Sequence, residues 1–262
     1  MELITFGILG DSPSEKKVKK IFSEIINEQK NPPSITYKKL SDKHLPALES
    51  IFKNNNLAGI YCLDPFRIEV KYFLDDLSTN AKHIRETNLI CIKNEKLFGF
   101  NTEGIGFIAM LKDNGIDIQN KTFTIIGGGN VARSIGLQLG KEGALQVDVV
   151  CNDPEIGLDL TNYIRETTSA DSNFILWNSH TKISPTTNIL INAKYGLNSP
   201  PFNFEVLSPK IIACDVNIDE AKPVFCDKIK KYCHTLFTAP QYYKYMLKES
   251  LDIVMDQKPV FD

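Results

Sequence analysis

Tryptophan, histidine, methionine and long apolar runs are all scarce in this chain. One Trp, four His and four Met are spread over 262 residues. The histidines lie far apart and none sits at metal-ligand spacing, so no metal site is expected. The six cysteines (62, 91, 151, 214, 226 and 233) fall singly, with no C-x-x-C pair. Most lie inside apolar stretches and read as buried free thiols rather than as disulfides or ligands. A basic excess is also missing: 30 Lys and Arg face 32 Asp and Glu, a net charge of −2. That balance argues against nucleic-acid or membrane-surface partners, both of which attract cationic surfaces. No apolar run approaches the roughly 20 residues that span a bilayer. The opening Met-Glu-Leu-Ile-Thr-Phe-Gly reads as a first strand without the basic region of a signal peptide. These absences point to a reducing cytoplasm.

What is present is ordinary for a globular protein: 42% apolar and 24% charged residues, at a length sufficient for one large or two modest domains. Leu3–Leu9 reads as a strand, and Val18, Ile21, Phe22, Ile25 and Ile26 form the apolar stripe of a helix over Glu15–Glu28. Ser34–Leu40 and Ala58–Cys62 follow as strands, with a helix over Leu45–Phe52 between them and another over Ile68–Leu77 after Pro65. Leu89–Lys93 and Lys96–Phe100 alternate around Asn94-Glu95, which predicts a hairpin. Glu103–Asp113 reads as a linking helix. Beyond it come strands at Thr122–Ile126, Val147–Cys151, Ile189–Asn192 and Ile211–Val216, a helix over Ala132–Glu142, and a last helix over Ala239–Met255. Alternating strands and helices imply an α/β fold with a parallel sheet and right-handed crossovers. No internal repeat or low-complexity linker interrupts the pattern.

Gly127-Gly128-Gly129-Asn130-Val131-Ala132 follows one of these strands and opens a helix, fitting G-x-G-x-x-A. Glycines there permit a tight turn and close backbone approach to a pyrophosphate, which sits on the helix N-terminus. The same glycines also suit a turn that merely lets helix and strand pack closely.

Two further stretches carry a resemblance. Gly59-Ile-Tyr-Cys-Leu-Asp-Pro-Phe-Arg67 is similar to the G-x-N-V-T-x-P-x-K of the shikimate dehydrogenase family, and Gly99-Phe-Asn-Thr-Glu-Gly104 to its G-x-N-T-D-G; Asn88 matches its V-N-T. The resemblance implies two α/β domains: an N-terminal substrate domain over 1–101, joined by a returning C-terminal helix (238–262), and a Rossmann-type NAD(P)-binding domain over 102–237, with the ligand in a cleft. It implies an NAD(P)-dependent reductase of 3-dehydroshikimate or a related cyclic keto acid, acting in aromatic amino acid biosynthesis. Its partner would be a small carboxylic acid, and it would work as a monomer or homodimer.

On this resemblance Arg67 and Glu103 occupy the places of the reacting lysine and aspartate. Ser12 and Ser14 match the pair that binds the substrate carboxylate, though Ser14 is also a natural helix N-cap. Asn88 and Asn101 match amides that hold ring hydroxyls. Asn152-Asp153 stands where members preferring NADP carry Asn-Arg-Thr. A carboxylate there repels a 2′-phosphate and accepts bonds from a free ribose diol, which favours NAD; Asp153 also suits a cap before Pro154.

Departures cluster at the substrate side: Tyr61 and Leu63 replace an asparagine and a threonine, Lys194 falls in the N-A-T-P segment, and Ser250 replaces a glutamine. Arginine keeps its proton at accessible pH, so Arg67 can orient and polarise an oxygen but is a poor acid or base. A proton would then come from water or Glu103. A second expectation is a non-catalytic binding or regulatory protein in which Arg67 and Glu103 form a bidentate ion pair. A folate-type methylene dehydrogenase leaves the Gly99–Gly104 turn unexplained.

Overall fold

The computed structural model of the chain describes residues 3–11, 14–28, 30, 32–178, 180–197, 202–218 and 224–255. The chain divides into two compact units, Met1–Glu103 with Lys244–Asp262, and Gly104–Tyr243. Each is an α/β unit built on its own six-stranded sheet, and the two-domain α/β architecture read from the sequence is found.

The first unit runs β1 (Leu3–Leu9), α1 (Ser14–Asn27), β2 (Ser34–Leu40), α2 (Leu48–Asn55), β3 (Leu57–Cys62), α3 (Phe66–Glu69), β4 (Asp76–Leu77), α4 (Thr79–Ile84), β5 (Leu89–Lys93) and β6 (Lys96–Phe100). Its sheet order is β2-β1-β3-β5-β6-β4. The stripe on α1 is buried as the periodicity predicts, with Val18, Ile21, Phe22, Ile25 and Ile26 all inside. Each such side chain contributes about 1.5–3 kcal/mol on burial. Packing, rather than the propensity of a short lysine-rich segment, therefore holds this helix.

One expectation is met here and one is corrected. The hairpin expected around Asn94-Glu95 is present: β5 runs antiparallel to β6, and to β3 on its other side. The cause is local, since Asn94 and Glu95 both take positive φ (49° and 64°) and close the two-residue turn that joins antiparallel neighbours. The helix expected over Ile68–Leu77 is only α3 and a 3-10 turn over Val70–Phe73, then β4. Tertiary bonds override the helical pattern: Asp75 N donates to Leu97 O (3.0 Å), and Leu97 N donates to Asp75 Oδ2 (2.7 Å), pinning the segment to β6.

The chain leaves the first unit in α5 (Glu103–Asp113). The second unit contains β7 (Thr122–Ile126), α6 (Asn130–Lys141), β8 (Gln146–Cys151), α7 (Pro154–Thr167), β9 (Phe174–Leu176), β10 (Ile189–Asn192), β11 (Ile212–Asp215), α8 (Val224–Ile229) and β12 (Thr235–Phe237), followed by α9 (Ala239–Val254), within which the chain returns to the first unit. All pairings are parallel in the order β12-β11-β10-β7-β8-β9. This is the doubly wound 3-2-1-4-5-6 order, and its switch point lies between β7 and β10. Every residue of β7 is buried, as expected of a central parallel strand covered on both faces.

Among the described residues no helix is long and apolar enough to cross a membrane. No group of three or more His, Cys, Asp or Glu there could hold a metal ion.

Candidate active site

The parallel strands β1 and β3 and the hairpin strand β6 bring the first unit's candidate residues together. Leu63 N donates to Leu9 O (2.8 Å), which sets the turn after β3 beside the end of β1. Arg67 sits on α3 just beyond that turn, and Glu103 opens α5 just beyond β6. A carboxylate in the first turn of a helix is favoured by the unsatisfied N–H groups there.

Arg67 Nη2 donates to Glu103 Oε1. The pair is not the bidentate fork expected of an abandoned site, because the guanidinium's other edge faces a second carboxylate. Arg67 Nε lies 2.5 Å from Glu86 Oε1, yet Nε makes no aligned hydrogen bond, so this contact is electrostatic rather than directional. The three side chains are nearly sealed: Arg67 is 11% exposed, Glu86 4% and Glu103 3%. Burial pushes the guanidinium's proton affinity down, but the Glu103 and then Glu86 carboxylates outweigh it and hold Arg67 well above its ordinary pKa. Arg67 is thus a fixed cation between two carboxylates, not a proton donor.

Glu86 is the residue that sequence reasoning missed. Its position two residues before Asn88 is the only signal it offered, and its approach to Arg67 depends on a nonlocal bond from Thr87 N to Arg67 O (2.8 Å).

Asn101 clamps Glu103: its Nδ2 donates to Glu103 Oε2 (3.4 Å) and its Oδ1 accepts from Glu103 N (3.3 Å). Asn88 makes a separate cluster. Its Nδ2 donates to Thr102 Oγ1 (3.0 Å), its Oδ1 accepts from Thr102 N (3.0 Å), and Thr102 Oγ1 meets Ser250 Oγ at 3.0 Å. All three residues of that cluster are at most 1% exposed. Both asparagines therefore fasten the turn that presents Glu103.

Ser14 is buried and is the first residue of α1. Ser12 lies outside the described residues. Tyr61, counted among the departures at the substrate side, is a core residue: its ring meets Phe22 edge-on at 5.7 Å and its hydroxyl donates to Met246 Sδ (3.6 Å). The motif glycines answer packing demands. A Cβ on Gly99 would lie 2.6 Å from Leu77 Cδ2, and one on Gly104 would collide with Ser134 O.

In the second unit, β7 delivers Gly127–Gly129 to the N-terminus of α6, at the carboxyl edge of the sheet beside its switch point. Gly127 has φ +117°, and a Cβ there would lie 2.9 Å from Ala193 O. Only glycine fits this turn without strain. Gly129 is the N-cap and supplies no side-chain cap; a Cβ on it would meet no atom within 4 Å. Open space over a helix end without a side-chain cap suits an incoming pyrophosphate. Asn130 and Val131 begin the helix half-buried, while Ala132 is fully buried against the sheet.

Asn152 and Asp153 are exposed at the end of β8. The Asp153 carboxylate caps α7, its Oδ1 accepting from Glu155 N (3.0 Å) and Ile156 N (3.2 Å). The capping role weighed for Asp153 is thus present, and one of its oxygens is already bonded. Lys194, two residues beyond β10, reaches Asn152 Oδ1 at 3.5 Å.

No protein-family model matches the chain. Among curated proteins it is similar to the shikimate dehydrogenase (NADP(+)) of Syntrophomonas wolfei, with 26% identity over 231 residues, 85% of this chain and 79% of that protein. Coverage of other such relatives is partial: the match to the shikimate dehydrogenase of Alkaliphilus oremlandii, 42% identical, spans 30% of that protein.

Among solved structures, the ligand-free 5-ketofructose reductase of Gluconobacter sp. strain CHM43 superposes with a TM-score of 0.85 at 23% identity, covering 100% of this chain and 95% of that one. Shikimate 5-dehydrogenase from Listeria monocytogenes, in complex with shikimate and NAD, gives 0.81 at 18% identity, covering 99% and 93%. At these identities the structures establish the fold. The resemblance to the shikimate dehydrogenases drawn from the sequence is borne out.

Proposed function

We propose that the protein is an NAD(P)-dependent oxidoreductase that reduces 3-dehydroshikimate or a related cyclic keto acid. The observation that carries this reading is the loop after β7. Gly127 takes a conformation reserved for glycine, and Gly129 faces open space at the start of α6 in a sheet of dinucleotide-binding order. Gly127–Gly129, Asn130, Val131 and Ala132 would hold the pyrophosphate, and Asn152 and Asp153 the adenosine ribose. A bound nicotinamide dinucleotide supplies the reducing equivalent.

The substrate roles fall to the first unit. Arg67 orients and polarises the reacting oxygen as a permanent cation. Glu103, held by Asn101, fixes Arg67 and is the candidate group for moving a proton at that oxygen, with water as the alternative source. Ser12 and Ser14 would bind the substrate carboxylate, and Asn88 and Asn101 its hydroxyls. Glu86 is a positioning residue acting through Arg67.

Calorimetric titration of NAD and of NADP, each followed by shikimate, tests the reading. Dinucleotide binding with added affinity for shikimate supports it. Absence of binding by either dinucleotide rejects it.

One observation favours a second reading, a non-catalytic binding protein: Arg67 is enclosed by two carboxylates rather than free. The double change Arg67→Lys with Glu103→Asp separates the two. A large gain in shikimate oxidation marks a pocket ready for that substrate, and no gain favours the binding role.

A further inference from the structure

Lys194 stands in the N-A-T-P segment of the sequence pattern, where the family resemblance offers no role for a lysine. In the structure it lies two residues past β10, one of the two strands that flank the sheet's switch point. Its backbone is fixed there: Lys194 N donates to Asn192 Oδ1 (3.2 Å), and Asn192 is itself buried and donates through Nδ2 to Asp215 Oδ1 (3.3 Å). From this anchor the side chain extends toward the β8 and β9 side of the same edge. Its ammonium lies 5.4 Å from the centroid of the Trp177 ring and 3.5 Å from Asn152 Oδ1.

Neither contact neutralises the charge. An indole face attracts a cation weakly, and an amide oxygen carries no net charge. Among the described residues no carboxylate lies within ion-pair distance of Lys194. The residue as a whole is half-buried, while the contact of its ammonium with Asn152 lies at the exposed surface. A cation held in place by neutral groups at the mouth of a glycine loop is prepared for an anion.

Two anionic groups of a dinucleotide could meet it, the pyrophosphate and a 2′-phosphate on the adenosine ribose. Position separates them. Asn152 follows directly on β8, the strand whose end reads the adenosine ribose in this fold, whereas the pyrophosphate belongs to the turn after β7. The ammonium stands at Asn152. The carboxylate that argued against a 2′-phosphate, Asp153, is partly matched already by the two N–H groups it caps on α7.

We infer that Lys194 is the residue that recognises the 2′-phosphate, with Trp177 and Asn152 positioning its ammonium, and that the protein consequently binds NADP in preference to NAD. This rests on the dinucleotide-binding reading above and reverses the preference drawn from Asp153 in the sequence.

The test is calorimetric titration of NADP and NAD into the wild-type protein and into Lys194→Met and Lys194→Arg. The expected pattern is tighter NADP than NAD binding in the wild type, and a loss of about 10- to 100-fold for NADP in Lys194→Met, the range of one charge-assisted contact. NAD affinity should change by less than about threefold, since that ligand lacks the group being read. Lys194→Arg should keep most of the NADP preference. Equal losses for both dinucleotides would place Lys194 at the pyrophosphate and overturn the inference, as would unchanged NADP affinity in Lys194→Met. Failure of the wild type to bind either dinucleotide rejects the dinucleotide reading itself, and this assignment falls with it.

Discussion

Replacing Arg67 by methionine probes the charged cluster most directly. Methionine keeps much of the apolar stem and removes the cation that lies against the Glu86 and Glu103 side chains, which are 4% and 3% exposed. Removing one partner of a buried ion pair costs about 3–5 kcal/mol, because the remaining charge is left uncompensated in a poorly solvated site. Here two carboxylates lose the same partner, so the loss at neutral pH should reach at least the upper part of that range. At roughly 2–4 °C per kcal/mol for a chain of this size, the melting temperature should fall by at least about 10 °C.

The two units can unfold separately, so thermal melts should be paired with hydrogen exchange on β3 and β6, the strands that lead into the cluster. Adding Glu86→Gln and Glu103→Gln to the variant should restore most of the loss, since the orphaned charges are then gone. A deficit below about 1 kcal/mol at pH 8 would refute the account of Arg67 as a buried cation holding two carboxylates together.

Thr102→Val removes the hydroxyl that meets Asn88 and Ser250 and leaves a buried amide without one partner; a loss of about 1–3 kcal/mol is expected in urea unfolding. The glycine loop separates strain from ligand approach. Gly127→Ala forces a side chain into φ +117° and against Ala193 O, so both melting temperature and dinucleotide affinity should fall. Gly129→Ala meets nothing in the protein, so it should leave stability within about 0.5 kcal/mol of wild type while weakening dinucleotide binding by calorimetry. Thiol titration should find at most one quickly reacting cysteine in the native protein, Cys233, because the other five are buried, and burial pushes the Cys62 and Cys214 thiols up, away from the reactive thiolate. All six should react once the protein is unfolded.

Periodicity and turn chemistry are local, and they made much of this protein readable. The α1 stripe, the Asn94-Glu95 hairpin, the buried run of β7 and the glycines after it follow from residues a few positions apart. They sufficed for two α/β domains and a dinucleotide-type loop. The edge strands β4 and β9, two and three residues long, are too short to show an alternation. The helix expected after Pro65 gave way to bonds with β6 that no neighbouring residue announces.

The candidate site divides in the same way. Motif spacing singled out Arg67, Glu103, Asn88 and Asn101, because those residues flank turns that recur in order along the chain. Folding alone decided that Glu86 completes the Arg67 cluster, that Tyr61 belongs to the core, and that Lys194 reaches Asn152. Each of these depends on strands that lie far apart in sequence and end at one edge of a sheet. Charge balance and burial at such an edge are properties of the assembled strands, not of any segment read by itself.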